Sequence, residues 1–143
     1  MATNGFLDPL DIRSDDPSKK IVILNRDLRY RDAHGTIYTI PAEFRCDLAS
    51  VPWWLRSLAP PWHQSARAGL LHDCGYRWFE VWQCSRKKVD SLFSGALRSD
   101  GVGRVRAGLM MMSVRVFGKK AWKKWRNMPE NLKGVRPVDI FTP

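Results

Sequence analysis

The stretch from Ala66 to Phe79 constrains the fold most, because it predicts one buried helix. At about 100° per residue, small and apolar side chains cover more than half of its circumference. They are Ala66, Ala68, Leu70, Leu71, Cys74, Gly75, Trp78 and Phe79. The remaining arc is a polar stripe of His72, Asp73, Tyr76 and Arg77. A helix with so wide an apolar arc is usually central in its domain. Its polar stripe then needs partners, since an unpaired buried charge is strongly destabilising.

Length and composition predict one domain with irregular ends. A chain of 143 residues is long enough to bury a core, and seven Trp and six Phe supply large apolar side chains. Residues 1–19 carry four Asp together with Pro9 and Pro17, so they predict an irregular arm. Residues 129–143, with Gly134 and three Pro, predict an extended tail. A single α+β domain is therefore expected over residues 20–128.

The first part of that domain predicts a small antiparallel meander. The expected strands are rich in β-branched residues or alternate apolar with charged residues. They are Lys20–Asn25, Leu28–Asp32 and Thr36–Ile40, with a short fourth strand over Glu43–Cys46. His34 lies at the expected tip of a hairpin, and Gly35 beside it is suited to a positive φ.

Helical signals fill the rest of the domain. Ser50 followed by Pro52 predicts a short helix that stops before Pro60. A second helix is expected over Arg86–Ser99, with Ser85 as its cap and Gly101 at its end, and a third over Arg104–Arg126. Gly118 is expected to bend or interrupt the third helix. The predicted fold class is thus α+β, with a small antiparallel N-terminal sheet packed by three C-terminal helices.

The three cysteines and the lack of long apolar runs indicate in which cellular environment the protein is expected. Cys46, Cys74 and Cys84 are odd in number and lack C-x-x-C spacing, which argues against a disulfide framework and a structural zinc knot. The polar start of the chain predicts no secretory signal, and no segment reaches the roughly 18 apolar residues of a membrane span. A reducing, intracellular setting is expected.

The positive charge of the chain is concentrated near its C-terminus. The net charge is +10, and residues 103–126 contain eight basic residues and no acidic one. This predicts a polyanion-binding segment, with nucleic acid as the first partner to test. Its expected members are Arg115, Lys119, Lys120, Lys123, Lys124 and Arg126. The alternative is an ordinary solvated helix face.

One imidazole and three carboxylates from three separate predicted elements suggest a chemical site. They belong to Asp47, His72, Asp73 and Asp90. Mixed nitrogen and oxygen donors suit zinc, manganese, iron or magnesium. We expect Asp47, His72 and Asp90 to be metal ligands, and Asp73 and Arg86 to be catalytic, with Arg86 stabilising negative charge.

A structural reading of the same residues stays open. Asp73 can pair with Arg77, Asp90 with Arg86, and His72 with a backbone carbonyl, so that the cluster fixes helix packing without doing chemistry. The H-D dipeptide also occurs in HD phosphohydrolases. That all-helical fold needs an earlier His and fits the predicted strands poorly.

Three local patterns occur together: Asp47 to Pro52 reads D-x-A-S-V-P, His72 begins an H-D, and Arg86 to Asp90 reads R-x-x-x-D. In this combination the chain resembles a small domain family of unknown function that recurs in tailed-phage and prophage genomes. The resemblance covers roughly residues 20–120 and departs at Cys74-Gly75-Tyr76, where bulkier residues are usual. It implies a phage or prophage origin and a shared polar site, but no reaction.

Two functions are therefore expected from the sequence. The first is a metal-assisted hydrolase with a phage-relevant substrate such as cell wall or nucleotide. The second is a non-catalytic phage accessory or virion component whose basic helix docks nucleic acid or an acidic phage protein. With no signal peptide, either would act in the host cytoplasm or in the phage particle.

Overall fold

The computed structural model describes residues 4–14, 21–47 and 65–137, and for Asp47 the backbone alone. Within these ranges the chain forms two small antiparallel sheets packed with helices, which confirms the predicted α+β class. The short helix expected from Ser50 lies outside the described residues, as does the start of the chain up to residue 3.

The strands are divided between two three-stranded sheets. In chain order they are β1 (Gly5–Phe6), β2 (Ile12–Arg13), β3 (Ile21–Leu24), β4 (Leu28–Arg31), β5 (Ile37–Ile40) and β6 (Arg45–Asp47). One sheet has the order β1-β4-β5 and the other β2-β3-β6, with every pair antiparallel. The predicted meander is therefore wrong in one respect, because β3 and β4 lie in different sheets. The two edges of β3 are taken by β2 and β6, so β4 pairs elsewhere.

The N-terminal arm contributes an edge strand to each sheet, which its sequence did not predict. β1 pairs with β4, and β2 pairs with β3. Asp8 anchors the arm, because its carboxylate accepts hydrogen bonds from the backbone N–H, Nε and Nη2 of Arg29, each at 2.9 Å. The Arg29 guanidinium holds the pKa of Asp8 below its ordinary value. Two-residue strands carry almost no periodicity, so only these long-range contacts define them.

The turn between β4 and β5 follows the prediction. Gly35 has φ +88°, and His34 is exposed. The buried carboxylate of Asp32 accepts the backbone N–H of His34 at 2.9 Å and that of Thr36 at 3.0 Å. This local hydrogen bonding by an Asp side chain closes the hairpin.

The helices match their predicted positions closely. They are α1 (Ala66–Arg77), α2 (Phe79–Trp82), α3 (Arg86–Ser99) and α4 (Arg104–Arg126), followed by a 3₁₀ helix (Glu130–Leu132). The bounds of α3 and α4 are those expected, and Gly101 beyond α3 has φ +78°. Ser85 caps α3 by accepting the N–H of Lys88 at 3.2 Å. The predicted helix over Ala66–Phe79 is interrupted at Trp78, whose φ of −124° and ψ of 36° are not helical.

The central role predicted for α1 is confirmed by its packing. Its apolar residues Ala68, Leu71 and Cys74 have no exposed surface, and α1 contacts α3, α4 and β5. At Gly75 an added Cβ would lie 2.6 Å from Val89, so the absence of a side chain allows α1 and α3 to approach closely. The region after α4 is not simply extended, since it contains the 3₁₀ helix and the buried Lys133. None of the described helices is long and apolar enough to span a membrane.

Candidate functional site

A histidine–aspartate pair joins the two central helices. Nε2 of His72 on α1 lies 2.8 Å from Oδ1 of Asp90 on α3, which is hydrogen-bond distance. Both side chains are mostly buried, at 16% and 14% exposed. The structure therefore brings together two of the residues that the sequence assigned to one site. The periodicity of each helix placed them beside its apolar face, and the packing of α1 on α3 turns them toward each other.

Tyr76 completes this pair and was not among the predicted site residues. It lies one turn after His72 on α1, and its hydroxyl donates to Oδ1 of Asp90 at 2.7 Å. Burial raises the pKa of Tyr76, which keeps its hydroxyl protonated and therefore a donor. The ring centroids of His72 and Tyr76 are 4.1 Å apart. The i, i+4 spacing from His72 on the polar stripe is the signal that could have identified it.

Arg86 links the cluster to the backbone of α4. Its Nη2 donates to the carbonyl oxygens of Val114 at 3.4 Å and Arg115 at 3.2 Å, and its Nε donates to the Tyr76 hydroxyl at 3.3 Å. The predicted i, i+4 pair with Asp90 is long, at 3.9 Å from Nε to Oδ2, and is not a hydrogen bond. Arg86 thus holds three helices together.

Asp73, predicted to be catalytic, points to a different partner. Its Oδ2 accepts a hydrogen bond from Nη2 of Arg77 at 2.7 Å. The Arg77 guanidinium lies between the rings of Phe44, at 4.8 Å, and Trp125, at 4.5 Å. Among the described side chains, Asp73 shares no hydrogen bond with His72 or Asp90. This half of the polar stripe therefore matches the structural reading of the sequence.

The described side chains supply only part of the predicted metal site. Asp47 is the last residue of β6, where its backbone pairs with Ile21, and its side chain lies outside what the structure describes. No group of three His, Cys, Asp or Glu among the described residues is placed to hold a metal ion. Oδ1 of Asp90 bonds both His72 and Tyr76, so this oxygen orients the imidazole.

An open cleft of about 680 Å³ lies between α3 and α4, next to the histidine–aspartate pair. The residues that line it are Arg86, Lys87, Asp90, Ser91, Ser94, Met111 and Arg115. Three of them are cations and one is an anion, and the anion is already bonded to His72 and Tyr76. The cleft connects the cluster to the basic end of α4 through Arg115.

The predicted polyanion-binding residues all lie on the outside of α4, and we call them the basic surface. They are Arg115, Lys119, Lys120, Lys123, Lys124 and Arg126, and each is exposed. None forms an ion pair with a described residue. Lys124 lies over the Trp125 ring at 5.2 Å, and Arg126 lies over the Phe79 ring at 5.8 Å. Trp122, which could have stacked on bases, is buried against Tyr76 and Phe79.

Comparison with known proteins gives one match. No curated protein and no solved structure matches the chain significantly. The profile of DUF1353, a family described as proteins of unknown function, matches residues 22–114. The match runs from β3 into α4 and includes the cluster of His72, Tyr76, Arg86 and Asp90, whereas the basic surface lies beyond its end. Because the match covers well over half of the sequence, the chain belongs to the DUF1353 family.

Proposed function

We propose that the chain is a docking protein that binds an anionic macromolecule through its basic surface. The observation that carries the proposal is that six exposed cations crowd onto one end of α4 and none has a carboxylate partner among the described residues. Like charges four apart, such as Lys119 and Lys123, are mildly destabilising in an isolated helix. A bound polyanion would offset that repulsion. No carboxylate among the described residues is paired with these cations to do so.

The partner is a nucleic acid or an acidic phage protein. Either would be attracted by the local excess of charge, which is +8 over residues 103–126. A phage origin is supported by the motif resemblance around Asp47, His72 and Arg86. The corresponding setting is the host cytoplasm or the phage particle.

The test measures binding of the full chain to duplex DNA, single-stranded RNA and polyglutamate. We expect binding at about 50 mM salt that weakens steeply toward physiological salt, with a slope of roughly −0.7 to −0.9 per nucleic-acid phosphate neutralised. The double variant Lys119→Ala with Lys123→Ala should bind at least about tenfold more weakly, since each lost contact removes favourable electrostatic free energy.

A matched control removes two exposed charges elsewhere, at Arg26 and Arg98. Arg26→Ala with Arg98→Ala should leave the affinity nearly unchanged. The proposed docking function would be refuted if the two double variants lost equal affinity, or if the chain bound none of the three polyanions.

The second candidate is a metal-assisted hydrolase centred on His72. It is favoured by the orientation of the imidazole, because Asp90 holds Nε2 while Nδ1 has no hydrogen-bond partner among the described residues. A carboxylate-oriented histidine with one free nitrogen is the arrangement used by general bases and by metal ligands. In this function His72 and Asp47 hold zinc, manganese or magnesium, which supplies an activated water when bound.

Metal uptake tests the second candidate without needing a substrate. We expect the purified chain to retain or take up one divalent ion, and His72→Gln to lose it. His34→Gln is the matched control, because His34 is exposed at a hairpin tip. Equal metal content in the wild type and in His72→Gln would contradict the assignment of His72 as a ligand.

A further inference from the structure

The outward face of α4 carries a row of large apolar side chains that we call the apolar row. Its members Val105, Met112 and Val116 are 79%, 54% and 65% exposed. At about 100° per residue they point within about 40° of one another. Within the run Met110-Met111-Met112, Met110 is buried in the core, whereas Met112 is exposed.

The apolar row continues directly into the basic surface. Lys119 and Lys123 lie on the same side of the helix as Val116, and both are exposed. From Val105 to Val116 the helix rises about 16 Å, and from Val105 to Lys123 about 27 Å. One face of α4 is thus apolar in its first half and cationic in its second.

Single exposed apolar residues need no explanation, but an aligned set does. The solvent side of a surface helix is normally polar. Phosphate groups complement Lys119 and Lys123 and leave Val105, Met112 and Val116 uncovered. Single-stranded bases would need aromatic side chains on which to stack. Of the two tryptophans among the lysines, Trp122 is buried and Trp125 stacks on Arg77. Phe117 is 51% exposed, but it lies about 100° around the helix from Val116 and so outside the apolar row.

We propose that the partner of α4 is a segment of an acidic protein, whose apolar side chains cover the apolar row and whose carboxylates meet Lys119 and Lys123. The inference rests on the proposed docking function and names its partner. Such a segment combines the two properties that the face of α4 presents, as amphipathic helices do when they bind through anchors at i, i+3, i+4 and i+7. A second copy of the chain is disfavoured, because its own α4 has no acidic residue to meet Lys119 and Lys123.

The experiment compares three probes on the full chain at physiological salt by fluorescence anisotropy. The first is a designed helical peptide with Leu at i, i+4 and i+7 in one half and Glu in the other. The second is a Glu-rich peptide of equal charge without the leucines, and the third is duplex DNA. We expect the leucine-containing peptide to bind about tenfold more tightly than the other two, and to lose less affinity on addition of salt.

Two double variants measure how much the apolar half and the cationic half of the α4 face each contribute to binding. Met112→Ser with Val116→Ser should weaken the leucine-containing peptide about tenfold and leave the Glu-rich peptide and DNA unchanged. Lys119→Ala with Lys123→Ala should weaken all three probes. Leu132→Ser is the matched control, since Leu132 is also an exposed apolar residue but lies outside α4. Thermal melts check that the exposed substitutions leave the fold intact.

The outcomes separate this inference from the docking function. If DNA binds most tightly and the serine variant changes nothing, the partner is a nucleic acid, and the inference is overturned while the docking function stands. If Leu132→Ser weakens the leucine-containing peptide as much as the serine variant does, the apolar row is not the binding surface. If none of the probes binds at physiological salt, the inference fails. The docking function fails with it only if none of the probes binds at about 50 mM salt either.

Discussion

The hydroxyl of Tyr76 lies against the backbone of Gly118. A Cβ at Gly118 would stand 2.6 Å from that oxygen and 3.3 Å from Nη2 of Arg86, so a side chain there would displace both groups. The helix α4 is continuous through Gly118, so the expected interruption is absent. This glycine instead permits α1 to reach α4, and the cluster of His72, Tyr76, Arg86 and Asp90 depends on that approach.

Gly118→Ala should destabilise the protein. Overpacking of a buried contact typically costs about 1–3 kcal/mol, and the higher helix propensity of Ala recovers up to about 1 kcal/mol. We expect a net loss of about 1–2 kcal/mol in the free energy of unfolding. Urea denaturation measures it.

Gly108→Ala is the matched control on the same helix, because nothing lies within 4 Å of its added Cβ. It should stabilise the protein by about 0.5–1 kcal/mol through helix propensity alone. A stabilising effect of similar size at Gly118 would mean that Tyr76 does not pack against the backbone there.

The His72–Asp90 contact should carry more coupling energy than the Arg86–Asp90 contact. The first is a mostly buried hydrogen bond of 2.8 Å, and the second is an i, i+4 pair at 3.9 Å. Double-mutant cycles with His72→Gln, Arg86→Gln and Asp90→Asn measure both coupling energies. We expect a coupling energy of about 1–2 kcal/mol between His72 and Asp90, and of less than about 0.5 kcal/mol between Arg86 and Asp90. Chemical denaturation of the single and double variants gives both values. The reverse order would show that the guanidinium, and not the imidazole, is the main partner of Asp90.

Asp8 should make the stability of the N-terminal arm depend on pH. Its hydrogen bonds from Arg29 lower its folded pKa below the unfolded value of about 3.9. A lowered carboxyl pKa contributes stability above the unfolded value, and this contribution is lost as the pH falls through the folded value. The stability advantage of the wild type over Asp8→Asn should therefore be full above about pH 5 and shrink below about pH 4. A difference between the two proteins that stays constant from pH 6 to pH 3 would argue against this ion pair.

Cys74 should be inert in the folded protein. It has no exposed surface, and burial raises its pKa well above the ordinary value, so little thiolate forms. At pH 8, alkylation mapped by mass spectrometry should label Cys74 only as fast as the protein opens, whereas all three cysteines should react at once in denaturant. Prompt labelling of Cys74 without denaturant would contradict the central burial of α1.

The candidate site was predictable in part. His72 and Asp90 were assigned to one site because each lies beside the apolar face of its helix. Asp73 was assigned to the same site as one of its three carboxylates. In the structure, however, adjacent residues on a helix point about 100° apart, so Asp73 turns to Arg77. Tyr76 was placed on the polar stripe of the helix but was not assigned to the site.

The sequence by itself determined the features that depend on neighbours along the chain. The bounds of α3 and α4, the cap at Ser85, the turn at Gly35 and the basic surface all follow from periodicity, capping and local charge. Only the tertiary structure decided which elements meet. It placed β3 and β4 in separate sheets, made the arm an edge of both, ended α1 at Trp78, and set Tyr76 against Gly118. Periodicity shows which face of an element is buried but not which distant residue lies opposite it, because that depends on the packing of the whole core.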